Sequence, residues 1–500
     1  MKLNATKIPI RVGNKYVAVL NEKRAHFLDL HPSDRVLIKV KGKPAVRAIL
    51  DITRNKELRE NDIGLYEETW EKLGAKYGMD VDIKIAEKPI STTYIKKKLN
   101  GHKLTAEEIN EIIKDVVEED LTEVEISYFV AGCYTHGLDD EETANLTKSI
   151  VRNGSQLKFG NKIVADKHCI GGVPGNRTTM IIIPILTSAG IAMPKTSSRA
   201  ITSPAGTADT MEVLANVVND ADKLKKIVKK VGGFITWGGG VDLAAADDKM
   251  IKTRYPLSLD PQGMLLASIM AKKFSVSANR VLIDIPIGPQ VKIKSKSEGK
   301  ELKRRFLKLG RTLGMKTKVI FSDGSQPIGN GIGPTLEAID VMETLKCNPQ
   351  APKELREKSI YMAGILFEMC GKTSTVRKGM KLAQEILDSG RAYKQMLKII
   401  DAQGKKRNPL KPAKFSKVIH SDKSGIVKGI DNKLLAHVAR CAGAPKDLNA
   451  GVYIYKKLGD KVEKGEALFK IYATLEERID YAMEYPYKKI YDIRGNSKKN

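Results

Sequence analysis

Two short stretches of the chain combine residue types that can hold an anion. The first is Lys167-His168-Cys169-Ile170-Gly171-Gly172-Val173-Pro174-Gly175-Asn176-Arg177-Thr178-Thr179, which follows the β-branched run 162–165 and leads into the apolar run 180–186. That order reads as strand, glycine loop and helix start. Glycines let backbone N–H groups approach an oxyanion, while a helix N-terminus, Lys167 and the two threonine hydroxyls add donors and positive potential. The GK[ST] order of a Walker P-loop is absent, which excludes that kind of site. The second stretch is Ser197-Ser198-Arg199-Ala200-Ile201-Thr202-Ser203-Pro204-Ala205-Gly206-Thr207-Ala208-Asp209-Thr210-Met211-Glu212, with hydroxyls and an arginine ahead of another helix start. Alone it reads as a capped helix. Two such loops after successive strands of one sheet point to a shared phosphate or sugar site.

Loops of this kind need a sheet to position them. Residues 155–345 alternate short β-branched runs, at 162–165, 233–236, 281–285 and 318–322, with helical stretches, the pattern of an α/β sheet with ligands at its strand ends. Ahead of this region, residues 1–86 alternate apolar and polar, with Gly42-Lys43-Pro44 as a turn, and read as a small β-rich domain. From about Ser91 the period becomes helical. Thr105-Ala106-Glu107-Glu108 has the form of a capping box, and Ile109, Ile112, Ile113 and Val116 share one face. Beyond the polar, proline-bearing stretch 404–414, β character returns with glycine-rich turns. The expected architecture is therefore multidomain α/β. It comprises a β-rich domain at 1–86, a helical domain at 87–153 joined by part of 254–280, an α/β domain with a mixed sheet at 154–410, and a C-terminal α+β domain of barrel-sandwich type at 411–500.

Composition narrows the partners. Lys and Arg number 86 against 59 Asp and Glu, a net charge of +27 that favours anionic ligands. The basic residues are intermixed with acids and lack the aromatic interleaving of a nucleic-acid groove, so nucleic acid is not the expected partner. Cys133, Cys169, Cys347, Cys370 and Cys441 are odd in number and far apart, which fits neither a disulfide framework nor a CxxC metal pair. The seven histidines show no HExxH spacing, and a metal-free mechanism follows as the expectation. No apolar run approaches the roughly 20 residues of a membrane span. Residues 1–11 lack the apolar core of a signal peptide, so a cytoplasmic protein without a membrane partner is expected.

The order and spacing of Lys167-His168-Cys169-Ile170-Gly171-Gly172-Val173, Ser197-x-Arg199, Gly206-Thr207-x-Asp209-x-x-Glu212 and Leu266-Ala267-Ser268-Ile269-Met270-Ala271-Lys272-Lys273 resemble the thymidine and pyrimidine-nucleoside phosphorylases. Within that superfamily, the forms at 172–176, 198–203 and 258–263 are similar to the archaeal AMP phosphorylases, which carry an extra N-terminal domain. The resemblance implies a base-binding helical domain, a phosphate-binding α/β domain, and a homo-oligomer, dimer or larger, with residues 1–86 serving assembly. It implies that Lys167, Thr178, Ser197 and Thr207 contact inorganic phosphate, the co-substrate, and that no further cofactor is needed. The nucleotide would be met by His168, Gly172, Ser198, Arg199, Ala200, Ile201, Thr202, Ser203, Thr207, Arg254, Ser268, Lys272 and Lys292.

Cys169 stands where the nucleoside enzymes carry a phosphate-binding serine, which bears on that single contact. Two other departures bear on substrate: Pro286-Ile287-Gly288 replaces their Lys-Thr-Gly run, and Lys292 stands where they carry an apolar residue. An extra cation suits a 5′-phosphate of about −2 charge. The implied reaction is phosphorolysis of nucleoside 5′-monophosphates, AMP above all and also CMP and UMP, to free base and ribose 1,5-bisphosphate. Asp260 is the implied proton donor to the leaving base, a role that calls for burial and a raised pKa. The alternatives are a pyrimidine-nucleoside phosphorylase, a phosphoribosyltransferase of the anthranilate type and, from another class, a basic nucleic-acid-binding protein.

Overall fold

The computed structural model describes the chain except for residues 14, 161, 201–202, 242, 258, 408 and 496–500. Two compact units emerge. One comprises Met1–Ser149 with Ala246–Met264, the other Ile150–Ala245 with Leu265–Asn500.

The first unit opens with six strands: β1 (Lys2–Ile8), β2 (Val17–Asn21), β3 (Arg35–Lys39), β4 (Val46–Thr53), β5 (Asp62–Tyr66) and β6 (Asp80–Ile85). They close into a barrel of order β1-β5-β2-β4-β3-β6, which leaves no open sheet edge. Period-two alternation builds its core. Leu3 and Ala5, Val36 and Ile38, Val46, Ala48 and Leu50, and Val81 and Ile83 are buried, while their neighbours face outward.

The helices Ser91–Leu99, Ala106–Val117 and Glu123–His136 follow. The capping box is present: Glu108 N donates to Thr105 Oγ1 at 3.3 Å, and Thr105 N donates to Glu108 Oε2 at 2.8 Å. Ile109, Ile112, Ile113 and Val116 are all buried. Arg35 with Glu125 and Arg47 with Asp120 pin the barrel to this helical layer. His136 hydrogen-bonds through Nε2 to Leu99 O at 3.0 Å, a structural role.

The second unit is built on β7 (Ala165–Cys169), β8 (Met193–Ser197), β9 (Gly233–Trp237), β10 (Arg280–Ile287) and β11 (Lys316–Asp323). β7, β10 and β11 pair in the order β11-β10-β7, β8 pairs with β9, and a bridge between Val164 and Ala192 joins the two sets. Every one of these pairings is parallel, where a mixed sheet was expected. The reason is connectivity: each strand is followed by a helix that returns the chain to the same end.

β7 also begins later than the β-branched run 162–165 suggested, so Lys167, His168 and Cys169 lie within the strand rather than after it. In the helix Thr178–Ser188, residues Thr178 to Thr187 are all buried, beneath Lys353–Met369 and Arg391–Gln403. The edge strand β9 is closed by Gln403, whose Oε1 accepts from Ile235 N and whose Nε2 donates to Ile235 O, both at 2.8 Å.

The C-terminal part adds β12 (Gly331–Ile332), β13 (Phe415–His420), β14 (Gly425–Ile430), β15 (Gly451–Ile454), β16 (Lys461–Val462), β17 (Ala467–Ala473) and β18 (Tyr491–Arg494). They form two small sheets, β12-β15-β17-β13 and β16-β14-β18, over one apolar core. No helix of the described residues is long and apolar enough to cross a membrane.

Candidate active site

A strand points successive side chains to opposite faces, and β7 uses both. On one face lie Lys167 and Cys169. Lys167, 1% exposed, donates through Nζ to Thr178 Oγ1 at 2.8 Å. That hydroxyl donates to Asn176 Oδ1 at 3.0 Å, and Asn176 Nδ2 donates to Cys169 Sγ at 3.3 Å. The helix Thr178–Ser188 starts without a side-chain cap, but Met180 N already donates to Arg177 O at 3.0 Å, which leaves at most the N–H groups of Thr178 and Thr179 in the first turn for an anion. Asp284, paired with Cys169 across β10, accepts from Ser322 Oγ at 2.6 Å and meets Lys358 Nζ at 2.9 Å.

Burial pushes the Asp284 carboxyl up, but the Lys358 and Lys167 ammonium groups and the Ser322 hydroxyl outweigh it and hold it below its ordinary value. Burial lowers Lys167, with Lys358 and Arg177 adding to the effect. Burial, aided by Asp284, raises the Cys169 thiol. Cys169 is therefore neutral.

On the other face, Asp166 Oδ1 accepts from Lys167 N at 2.6 Å, and the carboxylate pairs with Lys195 Nζ at 3.2 Å and Lys273 Nζ at 2.8 Å. Beside it, His168 is held well below the usual imidazole pKa by burial first and then by Lys273, Lys195, Lys167 and Lys272. The ring is neutral at physiological pH. Lys272 donates to Ser268 Oγ, one helical turn away, at 3.4 Å.

Gly171, Gly172 and Gly175 take φ values of +98°, +92° and +69°, which only glycine adopts freely. A Cβ on Gly172 would lie 2.9 Å from Val291 Cα and 3.2 Å from Lys292 N. The chain at 291–292 thus rests directly on the glycine loop, with the Lys292 side chain exposed beside it.

Arg177 ties this loop to the next. It donates to Asn176 O at 3.1 Å, Thr210 Oγ1 at 3.0 Å and Ala205 O at 2.6 Å, and it pairs with buried Glu337. Burial raises the Glu337 carboxyl against the pull of Arg177. In the second loop, Asp209 Oδ2 accepts from Ala200 N at 2.7 Å and Gly206 N at 2.8 Å. Arg199 pairs with Asp209 and Glu212 and lies 5.1 Å over the Trp237 ring, so its guanidinium folds the loop. Ser197 and Thr207 are half-buried, and Ser198 and Ser203 are exposed. Ile201 and Thr202 lie outside the described residues.

In the first unit, Arg254 ends the helix Ala245–Arg254 and donates through Nη1 to Asp260 Oδ1 at 3.2 Å. The expected burial of Asp260 is not met. Its side chain is 35% exposed, because it stands just before Pro261 and the helix Gln262–Ser275, on a surface turn paired with a cation.

Sequence reasoning missed Asp166, Lys195, Lys273, Asp284, Lys358, Arg177 and Glu337. One signal was available. Asp284 interrupts Val281-Leu282-Ile283 and Ile285, and Lys195 sits in a strand that is otherwise buried. Charges in such strands are almost never buried unless paired.

Comparison with known proteins gives these observations a family. Residues 92–154 match the model of the glycosyl transferase family helical bundle domain, 161–393 that family's a/b domain, and 426–492 the pyrimidine nucleoside phosphorylase C-terminal domain. The AMP phosphorylase of Methanococcus vannielii is 41% identical over 494 residues, 98% of this chain and 97% of that one. AMP phosphorylase 1 of Archaeoglobus fulgidus is 41% identical over 488 residues, 97% of this chain and 95% of its own. The chain belongs to the AMP phosphorylase family.

Within the AMP phosphorylases the similarity runs through the N-terminal barrel, which none of the three matched models reaches. Among solved structures, anthranilate phosphoribosyltransferase from Thermus thermophilus aligns with a TM-score of 0.54 at 18% identity, covering 62% of this chain and 98% of that one. The yeast enzyme in complex with PRPP and Mg aligns with a TM-score of 0.52 at 14% identity, covering 63% and 98%. The two structures share the fold with this AMP phosphorylase relative, and the fold alone.

Proposed function

We propose that this chain cleaves AMP with inorganic phosphate to adenine and ribose 1,5-bisphosphate, with CMP and UMP as further substrates. The reading draws on the names of the full-length relatives. The observation that carries it is the seat of Lys292 on the glycine loop, a cation for a 5′-phosphate next to donors for a second phosphate.

In this reading the attacking phosphate is held by Lys167, Thr178, Ser197, Thr207 and the uncapped N–H groups of the following helix. Its oxygen forms a bond to C1′ as the C1′–N bond to the base breaks, through an oxocarbenium-like sugar. Hydroxyls, backbone and one lysine orient the dianion without quenching it. Neutral His168, with Ser268, Lys272 and Arg254, serves the nucleoside, and Asp260 is assigned the proton for the leaving base nitrogen on the resemblance alone, since the burial that role calls for is not met. The loop 198–203 and Gly172 serve the nucleotide. No metal or organic cofactor is assigned, because neither electrons nor a Lewis acid are needed to break this bond.

We further assign residues 1–86 to assembly, 87–153 with part of 254–280 to the base, 154–410 to phosphate and 411–500 to a C-terminal α+β domain, in a cytoplasmic homo-oligomer. Deleting residues 1–84 should lower the mass measured by light scattering; an unchanged mass refutes the assembly role.

Phosphate-dependent base release from AMP, adenosine, thymidine and uridine under identical conditions tests the substrate. Adenine from AMP with little from adenosine is the expected result. The match to the pyrimidine nucleoside phosphorylase C-terminal domain favours a second reading, a nucleoside enzyme, and preference for thymidine or uridine would establish it in place of the first.

A further inference from the structure

The connection between β15 and β16 carries Lys457, a residue that the reaction as described so far does not use. Its half-buried side chain donates through Nζ to Pro327 O at 2.8 Å and Gly329 O at 2.9 Å, with Ile328 O at 3.5 Å. Beside it, Leu458 N donates to Gln326 Oε1 at 2.9 Å. Carbonyls turned towards one point need a donor there, and Lys457 is that donor. The same loop is held at a second point, where Asp340 Oδ2 accepts from Asn330 N and Gly331 N, both at 2.7 Å. Residues 327–331 are thus gripped at their carbonyls by a lysine and at their N–H groups by a carboxylate.

What rests on this grip is the anion loop. Ile328 N donates to Pro174 O at 3.2 Å. A Cβ on Gly175 would stand 2.8 Å from Gly329 N and 3.0 Å from Gly329 Cα, and one on Gly329 would stand 2.9 Å from Gly175 O. The two backbones meet with no side chain between them, so a shift of 327–329 carries over to Gly175. Asn176 comes next. Its Oδ1 accepts at 3.0 Å from the Thr178 hydroxyl, which in turn accepts from Lys167 Nζ at 2.8 Å. An unbroken run of contacts therefore leads from Lys457 to two of the groups assigned to the attacking phosphate.

We propose that Lys457 is a positioning residue for phosphorolysis: from the C-terminal part, it fixes the loop on which Gly175 rests and so sets the affinity for inorganic phosphate. The inference rests on the phosphorolysis reading and deepens it, giving the C-terminal part a task in the reaction. The path enters the anion loop at Gly175, whereas the chain at Lys292 lies against Gly172 at the other end of that loop. The effect therefore falls on phosphate rather than on the nucleotide.

The test compares full-length wild type with Lys457→Met and Tyr491→Phe at pH 8, where the Asp340 carboxyl, pushed up to about 7 by burial, is ionised. Tyr491 donates to Lys456 O at 2.9 Å, so its loss loosens the same connection without removing the grip on 327–329. Lys457→Met should raise KM for phosphate about tenfold and leave KM for AMP within about twofold, while Tyr491→Phe leaves both within about twofold. Equal rises in the two KM values for Lys457→Met, no rise in its phosphate KM, or the same phosphate effect in Tyr491→Phe overturn the proposal. A measurement on the wild type guards against a variant that does not fold. Inorganic phosphate alone, without nucleotide, should slow hydrogen exchange at the amides of residues 328–331, and unchanged exchange there overturns the proposal as well. A wild type that releases no base from AMP with phosphate instead removes the underlying reaction, a different outcome from one that does so while Lys457→Met keeps its phosphate KM.

Discussion

Gly171 and Gly172 stand side by side at φ +98° and +92°, yet their surroundings differ enough to separate two kinds of cost. A Cβ on Gly171 meets nothing within 4 Å, whereas one on Gly172 meets Val291 Cα at 2.9 Å, Val291 Cβ at 3.0 Å and Lys292 N at 3.2 Å. Gly171→Ala should therefore cost only the left-handed strain of an L-residue, roughly 1–2 kcal/mol. Gly172→Ala adds an overpacking term of about 1–3 kcal/mol, for a total of about 2–5 kcal/mol. Two of the three close atoms are main chain, so relief requires residues 291–292 to shift, and Lys292 shifts with them. The urea midpoint of the α/β unit should fall further for Gly172→Ala than for Gly171→Ala. The preference for AMP over adenosine in phosphate-dependent base release should fall only for Gly172→Ala, by about tenfold, equivalent to ~1.4 kcal/mol. Equal effects of the two substitutions on stability and on preference would refute both the packing argument and the role of Lys292.

Asp260→Asn should slow adenine release by about 100-fold or more, the usual scale of acid–base catalysis. Its thermal midpoint should stay near wild type because the side chain is exposed, and wild-type turnover would remove Asp260 as proton donor. Arg177→Met strands buried Glu337 and should cost about 3–5 kcal/mol in urea unfolding. Adding Glu337→Gln should recover part of that loss, and an undiminished loss in the double variant refutes the pairing. Lys273, at about 7 in the folded chain against roughly 10.4 unfolded, leaves the unfolded state binding more protons between these values. Its contribution therefore makes stability rise with pH across that window. Urea midpoints at about pH 7 and pH 9 should climb more for wild type than for Lys273→Met, and parallel behaviour refutes the shift.

What could be read from the sequence was what neighbouring residues decide. Thr105 and Glu108 make a capping box from three-residue spacing, and Gly171, Gly172 and Gly175 mark a loop because their own φ values demand it. The apolar face of Ala106–Val117 followed from period alone. The exposure of Asp260 did not follow, because a carboxylate six residues from Arg254 finds its partner through the path of the chain between them, which residue types do not specify. Asp166, Lys195 and Lys273 lie further still from local rules, with 29 residues separating the first two. Their meeting depends on the bridge between Val164 and Ala192 that sets β8 beside β7. The polar Asp166-Lys167-His168 segment is tolerable in a buried strand only once β8, β10 and the helix bearing Lys273 supply its counter-charges. The residues that make the strand improbable by composition are thus the same ones that carry ion pairs on both its faces.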